Sequence, residues 1–71
     1  MLILGLDPGS LHTGYGLIAC RSGSARTIAA GRWSAPAKMA VADRLRILAD
    51  GLDDLLQSAR PDFAAMEKPF H

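Results

Sequence analysis

The chain begins with an uninterrupted apolar run, Leu2-Ile3-Leu4-Gly5-Leu6, that ends on a carboxylate, Asp7. Pro8 and Gly9 follow at once, and Gly14 and Gly16 come a few residues later. An apolar segment of this length bounded by turn residues reads as a buried strand. The proline stops it, and the glycines permit backbone angles that a side chain would forbid. Asp7 is therefore delivered by a strand into a glycine-bounded loop, a position that suits a metal ion or a phosphate. Taken alone, Asp-Pro-Gly is equally a turn signal with Asp at the first position and Pro at the second.

The rest of the chain supplies partners for that strand. Tyr15 to Arg21 reads as a second strand returning beside the first, Ser22-Gly23-Ser24 turns the chain, and Arg26 to Ser34 is a weaker third strand, so the three make an antiparallel meander. Ala35-Pro36-Ala37-Lys38 breaks the pattern. From Ala40 to Ala59, Val41, Leu45, Leu48, Leu52, Leu55, Leu56 and Ala59 recur at helical spacing. Gly51 inside this helix costs about 1 kcal/mol relative to Ala, a deficit that the flanking leucines are expected to offset. Arg60-Pro61 ends the helix, and Phe63 to Glu67 forms a short fourth strand running into Lys68-Pro69-Phe70-His71.

Composition narrows the classes. Seventy-one residues allow one small domain with a modest core. At 49% apolar residues and a mean hydropathy of +0.14, the chain carries more hydrophobic surface than one helix and a few strands can hide, so it is expected to associate or to be part of a larger fold. A net charge of +1 neither demands nor excludes nucleic acid. The single Cys20 allows no internal disulfide and fits a reducing cytoplasm. No basic segment precedes the first strand and no run approaches a membrane span, so neither a signal peptide nor a membrane anchor is expected.

Two carboxylates then converge. A strand, a crossover helix and a second strand in one sheet favour a right-handed connection with parallel strands, which makes the fourth strand a parallel neighbour of the first and gives the order 3-2-1-4. Alternation puts Ile3, Gly5 and Asp7 on one face of the first strand, and Phe63, Ala65 and Glu67 on one face of the fourth. At a strand spacing of about 4.8 Å, Asp7 and Glu67 come close enough to share a divalent cation, which like charges so near each other require. Mg²⁺ suits such a site, being held by a few carboxylates with waters and substrate phosphate.

The residues that carry this geometry also resemble a family. Leu4-Gly5-Leu6-Asp7-Pro8-Gly9-Ser10, followed by Thr13-Gly14-Tyr15-Gly16-Leu17-Ile18, is similar to the amino-terminal motif of the RuvC crossover junction endodeoxyribonucleases. Arg44-Leu45, Pro61-Asp62 and Ala65-Met66-Glu67-Lys68-Pro69-Phe70 resemble the family's later motifs, in which an acidic residue is followed three positions on by Phe. The resemblance spans essentially all of residues 1–71 and implies the amino-terminal part of a single ribonuclease H-like α/β domain, a mixed sheet truncated before its remaining elements. It implies a nuclease dependent on Mg²⁺, with Mn²⁺ as a substitute, that acts as a homodimer on four-way junction DNA in recombination and repair, with RuvA and RuvB as partners. Asp7 and Glu67 take the places of the first two catalytic, metal-binding carboxylates. Phe70 takes that of an aromatic stacking on junction bases, which is worth about 1 to 3 kcal/mol per base, and Lys68 lies beside it as a DNA contact.

The same family resemblance implies two further carboxylates that these residues do not supply. Asp43, Asp50, Asp53 and Asp54 lie along the helix, and Asp62 lies at the opposite end of its strand from Glu67. Two-metal phosphodiester cleavage needs ions about 3.5 to 4 Å apart, more than two carboxylates hold, so the 71 residues alone are expected to be inactive. His12 is within reach of a phosphate near Asp7, although a lone loop histidine is ordinarily only solvated. Arg21, Arg26, Arg32 and Lys38 are scattered basic residues able to meet DNA backbone, a pattern that more often marks a solvated surface. Tyr15 and Trp33 read as packing residues. Two other functions remain open: an actin-like ATPase or sugar-kinase phosphate loop, since Asp-x-Gly-Ser with a downstream Thr-Gly resembles theirs, and a non-catalytic nucleic-acid-binding module.

Overall fold

A computed structural model describes residues 1–66. It contains β1 (Leu2–Asp7), β2 (His12–Arg21), β3 (Ser24–Ser34), α1 (Val41–Ala59) and β4 (Phe63–Met66) in one four-stranded sheet of order β3-β2-β1-β4. β1 is antiparallel to β2 and β2 to β3, while β4 runs parallel to β1. The meander, the crossover helix and the parallel return are those expected from the sequence.

The strands differ from expectation at their ends, for local reasons. β2 starts at His12 instead of Tyr15, because Thr13 closes the preceding loop and lets pairing continue to Asp7↔Gly14 and His12↔Ser34. The hairpin turn needs only Ser22 and Gly23. Both have positive φ, 22° and 84°, the backbone of a two-residue hairpin loop whose twist matches its strands, so β3 begins at Ser24. A bulge lies farther along: Ile18 pairs with Thr27 and Leu17 with Ala29, leaving Ile28 unopposed and about half exposed.

The core lies on one face. Leu4 (fully buried), Leu6 and Leu17 form its centre, with Leu2, Tyr15, Trp33, Leu52, Leu55 and Ala59 packed against them. α1 thus covers the even-numbered residues of β1, and the odd-numbered Ile3, Gly5 and Asp7 fall on the other face. The helix starts without a side-chain N-cap. Instead the Arg44 guanidinium Nη1 donates to the carbonyls of Ala37 (2.9 Å) and Met39 (3.0 Å), tying the approach segment to the first turn. At the other end Arg60 adopts a left-handed conformation and its amide donates to the Leu56 carbonyl, after which Pro61 prevents continuation. Asp62 then starts β4 by a double contact with Leu2: the Leu2 amide donates to Asp62 Oδ2 at 2.7 Å, and the Asp62 amide donates to the Leu2 carbonyl at 2.8 Å.

Gly51 has a reason beyond the tolerance expected of its leucine neighbours. A β-carbon built there would lie 2.5 Å from Trp33 Cδ1 and 2.6 Å from its Nε1. The indole, stacked on Tyr15 with ring centroids 4.7 Å apart, fits against bare helix backbone. Helix stripe and sheet are not fully matched, however. Val41, Leu45 and Met66 are each more than half exposed, as is Phe63 on the other face, and an apolar groove of about 400 Å³ opens between the Pro8–Ser10 loop and Leu45, Leu48 and Leu52. That is the surplus hydrophobic surface anticipated from composition.

The Trp33 contact reverses the usual effect of filling a helical glycine. Gly51→Ala, which adds about 1 kcal/mol of helix propensity at an open site, is expected here to destabilise by about 1 to 3 kcal/mol through overpacking. Urea unfolding followed by Trp33 fluorescence checks it, and an unchanged or raised midpoint contradicts it.

Candidate active site

Asp7 is the last residue of β1 and is exposed on the face away from α1. Its register partner is Gly14, where an added β-carbon would stand 3.8 Å from Asp7 Cβ. The next row inward pairs Gly5 with Gly16 on one side and with Ala65 on the other. Small residues thus leave the sheet surface low beside the carboxylate. The result is an open trough of about 580 Å³, with Gly5, Gly14, Gly16, Ala30 and Ala65 in its lining and Asp7 at its rim.

The loop after Asp7 is closed by its own side chains. Thr13 Oγ1 donates to the Gly9 carbonyl at 3.1 Å and lies 3.3 Å from the Gly9 amide, which donates to it. Gly9 is required here, because a β-carbon would collide with the His12 carbonyl oxygen. The Asp-Pro-Gly sequence accordingly makes a tight connection and also places an exposed carboxylate at a strand end. The turn reading and the site reading describe the same segment.

Two polar residues flank Asp7 on the same face. Gly14 pairs with Arg32 across β2 and β3, so Asp7, Gly14 and Arg32 form one row. His12 and Ser34 form the next row, with His12 Nδ1 2.7 Å from Ser34 Oγ. His12 is thus exposed, as expected of a solvated histidine, but it is the first residue of β2 instead of a loop residue and is hydrogen-bonded to Ser34. Trp33 and Tyr15 lie on the helix face and pack, as expected.

The other acidic residues stay away from Asp7. Asp43, Asp50, Asp53 and Asp54 belong to α1 on the opposite side of the sheet, where Asp53 accepts from Gln57 Nε2 at 2.9 Å. Asp62 is bonded to Leu2 at the far end of β1. Among the described residues no three His, Cys, Asp or Glu side chains converge on a common point. The expected partners Glu67, Lys68 and Phe70 lie outside the described residues. The final described pair in the parallel ladder is Leu6↔Met66, the residues immediately before Asp7 and Glu67 in the sequence.

Residues 3–71 match the family model for the crossover junction endodeoxyribonuclease RuvC. The chain belongs to the RuvC family. Among curated relatives, a crossover junction endodeoxyribonuclease RuvC of Frankia alni is 48% identical over 71 residues, which are 99% of this chain and 36% of that protein. One of Bordetella avium is 40% identical over 70 residues, 99% of this chain and 39% of its own length. The chain therefore spans well under half the length of these relatives. Thermus thermophilus RuvC superimposes with a TM-score of 0.88 over the whole chain and 45% of that structure, at 24% identity. The same protein in complex with a Holliday junction substrate gives 0.89 over 46% of its chain, also at 24% identity. Both share the ribonuclease H-like fold expected of the RuvC family.

Closure of the loop by Thr13 is open to a local test. Thr13→Val keeps the shape of the side chain and removes both Gly9 contacts. It is expected to cost about 1 kcal/mol of stability and to speed amide hydrogen exchange at Gly9, measured by NMR. Unaltered exchange at Gly9 would show that the loop closes without Thr13.

Proposed function

We propose that residues 1–71 form the amino-terminal part of a ribonuclease H-like nuclease domain that cuts four-way DNA junctions with the help of divalent metal. The observation that carries the reading is the placement of Asp7: exposed at the end of β1, on the sheet face that α1 leaves open, beside the parallel strand whose sequence continues into Glu67. Family membership supports it, since the relatives are named crossover junction endodeoxyribonucleases. It also sets aside the phosphotransfer alternative, because the match extends through residue 71.

In this reading Asp7 and Glu67 are the first two catalytic carboxylates, and Asp7 supplies hard oxygen donors of the kind Mg²⁺ or Mn²⁺ takes. The donor set fits such an ion only in part: the described residues offer a single carboxylate at the trough, and the further ligands are assigned to Glu67 and to a region outside this sequence. Divalent metal bound there would activate water and stabilise the leaving oxygen. The chain's own contribution is to hold Asp7 at a fixed strand end, over a glycine that leaves room for a phosphate. Phe70 is assigned to base stacking at the junction and Lys68 to the backbone beside it. The full protein is read as a cytoplasmic homodimer working with RuvA and RuvB. For its part, no helix of the described residues is long and apolar enough to cross a membrane.

A chimera in which residues 1–71 replace the matching segment of the Frankia alni relative tests this directly. It is expected to cleave a synthetic four-way junction in Mg²⁺, while residues 1–71 alone do not. Asp7→Asn in the chimera should lower the cleavage rate about 100-fold or more, a change of about 2.7 kcal/mol. Junction affinity should be largely kept, since it comes mostly from phosphate contacts elsewhere. Cleavage by the Asp7→Asn chimera at the parent rate removes the catalytic assignment.

A further inference from the structure

The open face carries a cationic group in register with Asp7. Arg32 is exposed and pairs with Gly14, which in turn pairs with Asp7. The two charged residues are thus two strand steps apart, each about 4.5 to 5.5 Å, with only a glycine between them. Paired residues share a face of the sheet, so Arg32 and Asp7 rise from the same surface. The trough lined by Asp7, Gly14, Gly16, Ala30 and Gly31 reaches β3 at the residue that precedes Arg32.

The placement of Arg32 depends on the bulge. Counting back from the Ser22–Gly23 turn without it, His12 would oppose Trp33, and the indole would stand on the Asp7 face. The extra residue, Ile28, shifts the register by one. Trp33 then goes under α1, and Arg32 and Ser34 go to the open face, where Ser34 holds His12. One irregularity thereby adds a guanidinium, and the hydroxyl that holds His12, to the face that already carries the Asp7 carboxylate.

We infer that Arg32 binds a backbone phosphate of the DNA strand that lies across Asp7, so that the strand crosses the sheet from β1 toward β3 along the glycine-lined trough. A guanidinium suits this task because its planar donors match phosphate oxygens. The small size of Gly14 lets a sugar-phosphate backbone approach the sheet between the two groups. The inference rests on the nuclease reading for the identity of the ligand. It goes further by naming the residue and the direction of the strand.

The test uses the same chimera and measures junction affinity as a function of salt, without divalent metal so that cleavage does not intervene. Removing one phosphate contact lowers the magnitude of the slope of log K against log salt by about 0.7 to 0.9. Arg32→Ala is expected to show that decrease and to bind about five- to tenfold more weakly at about 0.1 M salt. Arg32→Lys, which keeps the charge, should retain the parent slope. Arg26→Ala, at the far end of β3, should leave it unchanged. An unchanged slope for Arg32→Ala overturns the inference, as does an equal decrease for Arg26→Ala, which would mark a diffuse charge effect. Normal binding by Arg32→Ala with impaired cleavage in Mg²⁺ also overturns it, since Arg32 would then act on Asp7 and not on the strand. A parent chimera that binds the junction without cleaving it removes the nuclease reading and leaves the slope comparison to decide the role of Arg32.

Discussion

The burial of Leu4 sets the geometry of everything around it. Leu4 is completely enclosed among Leu6, Leu17 and the helix leucines, and strand side chains alternate strictly between faces. A slip of one residue in β1 would put Ile3, Gly5 and Asp7 beneath α1 and expose the leucines, exchanging the core for an unpaired buried charge. Burying a Leu side chain is worth about 1.5 to 3 kcal/mol, and three leucines of β1 depend on the same choice of face. The outward position of Asp7 is therefore a consequence of core packing, and the site inherits its precision from hydrophobic contacts on the other side of the sheet.

β3 makes the same selection less directly. It has few large apolar residues, so its own composition only weakly specifies which face is which. The bulge at Ile28 and the fit of Trp33 between Tyr15 and Gly51 settle the matter. A helix residue larger than glycine at position 51 would collide with the indole and displace it from its seat against α1, loosening the contact that holds β3 in register near Arg32 and Ser34. Residue 51 lies on α1 and touches nothing on the open face, yet it helps determine which side chains that face presents.

Much of this was legible in the sequence because it follows from periodicity. The apolar run of β1, the helical spacing from Val41 to Ala59 and the preference for right-handed crossovers gave the strand order and the parallel neighbour of β1. Asp7 could be placed at a strand exit by the Pro and Gly that follow it. What could not be read depends on contacts between distant segments. The extra residue at Ile28 has no local signature, so neither the His12–Ser34 bond nor the row of Asp7, Gly14 and Arg32 could be assigned. Gly51 looked like a tolerated defect because its reason, Trp33, lies on another element. Strand direction is enough to put Asp62 away from Asp7, but its bond to the Leu2 amide, which ties the start of β4 to the start of β1, emerges only once those two ends are side by side.

The two faces of the sheet have opposite shortages, and both lead beyond the described residues. On the helix face, α1 leaves Val41, Leu45 and Met66 largely uncovered beside an apolar groove, so hydrophobic surface exceeds what one helix hides. On the open face, the trough has one described carboxylate where a shared divalent cation needs several oxygen donors. Small residues at Gly5, Gly14, Gly16 and Ala30 would waste packing area if the open face were covered by another helix. They cost nothing if the cover is a nucleic-acid backbone, which needs close approach and polar partners in place of apolar contact. On the proposed nuclease reading, the low floor, the exposed Asp7 and the outward Arg32 suit a face covered by substrate, whereas the uncovered Val41, Leu45 and Met66 suit a face covered by apolar side chains.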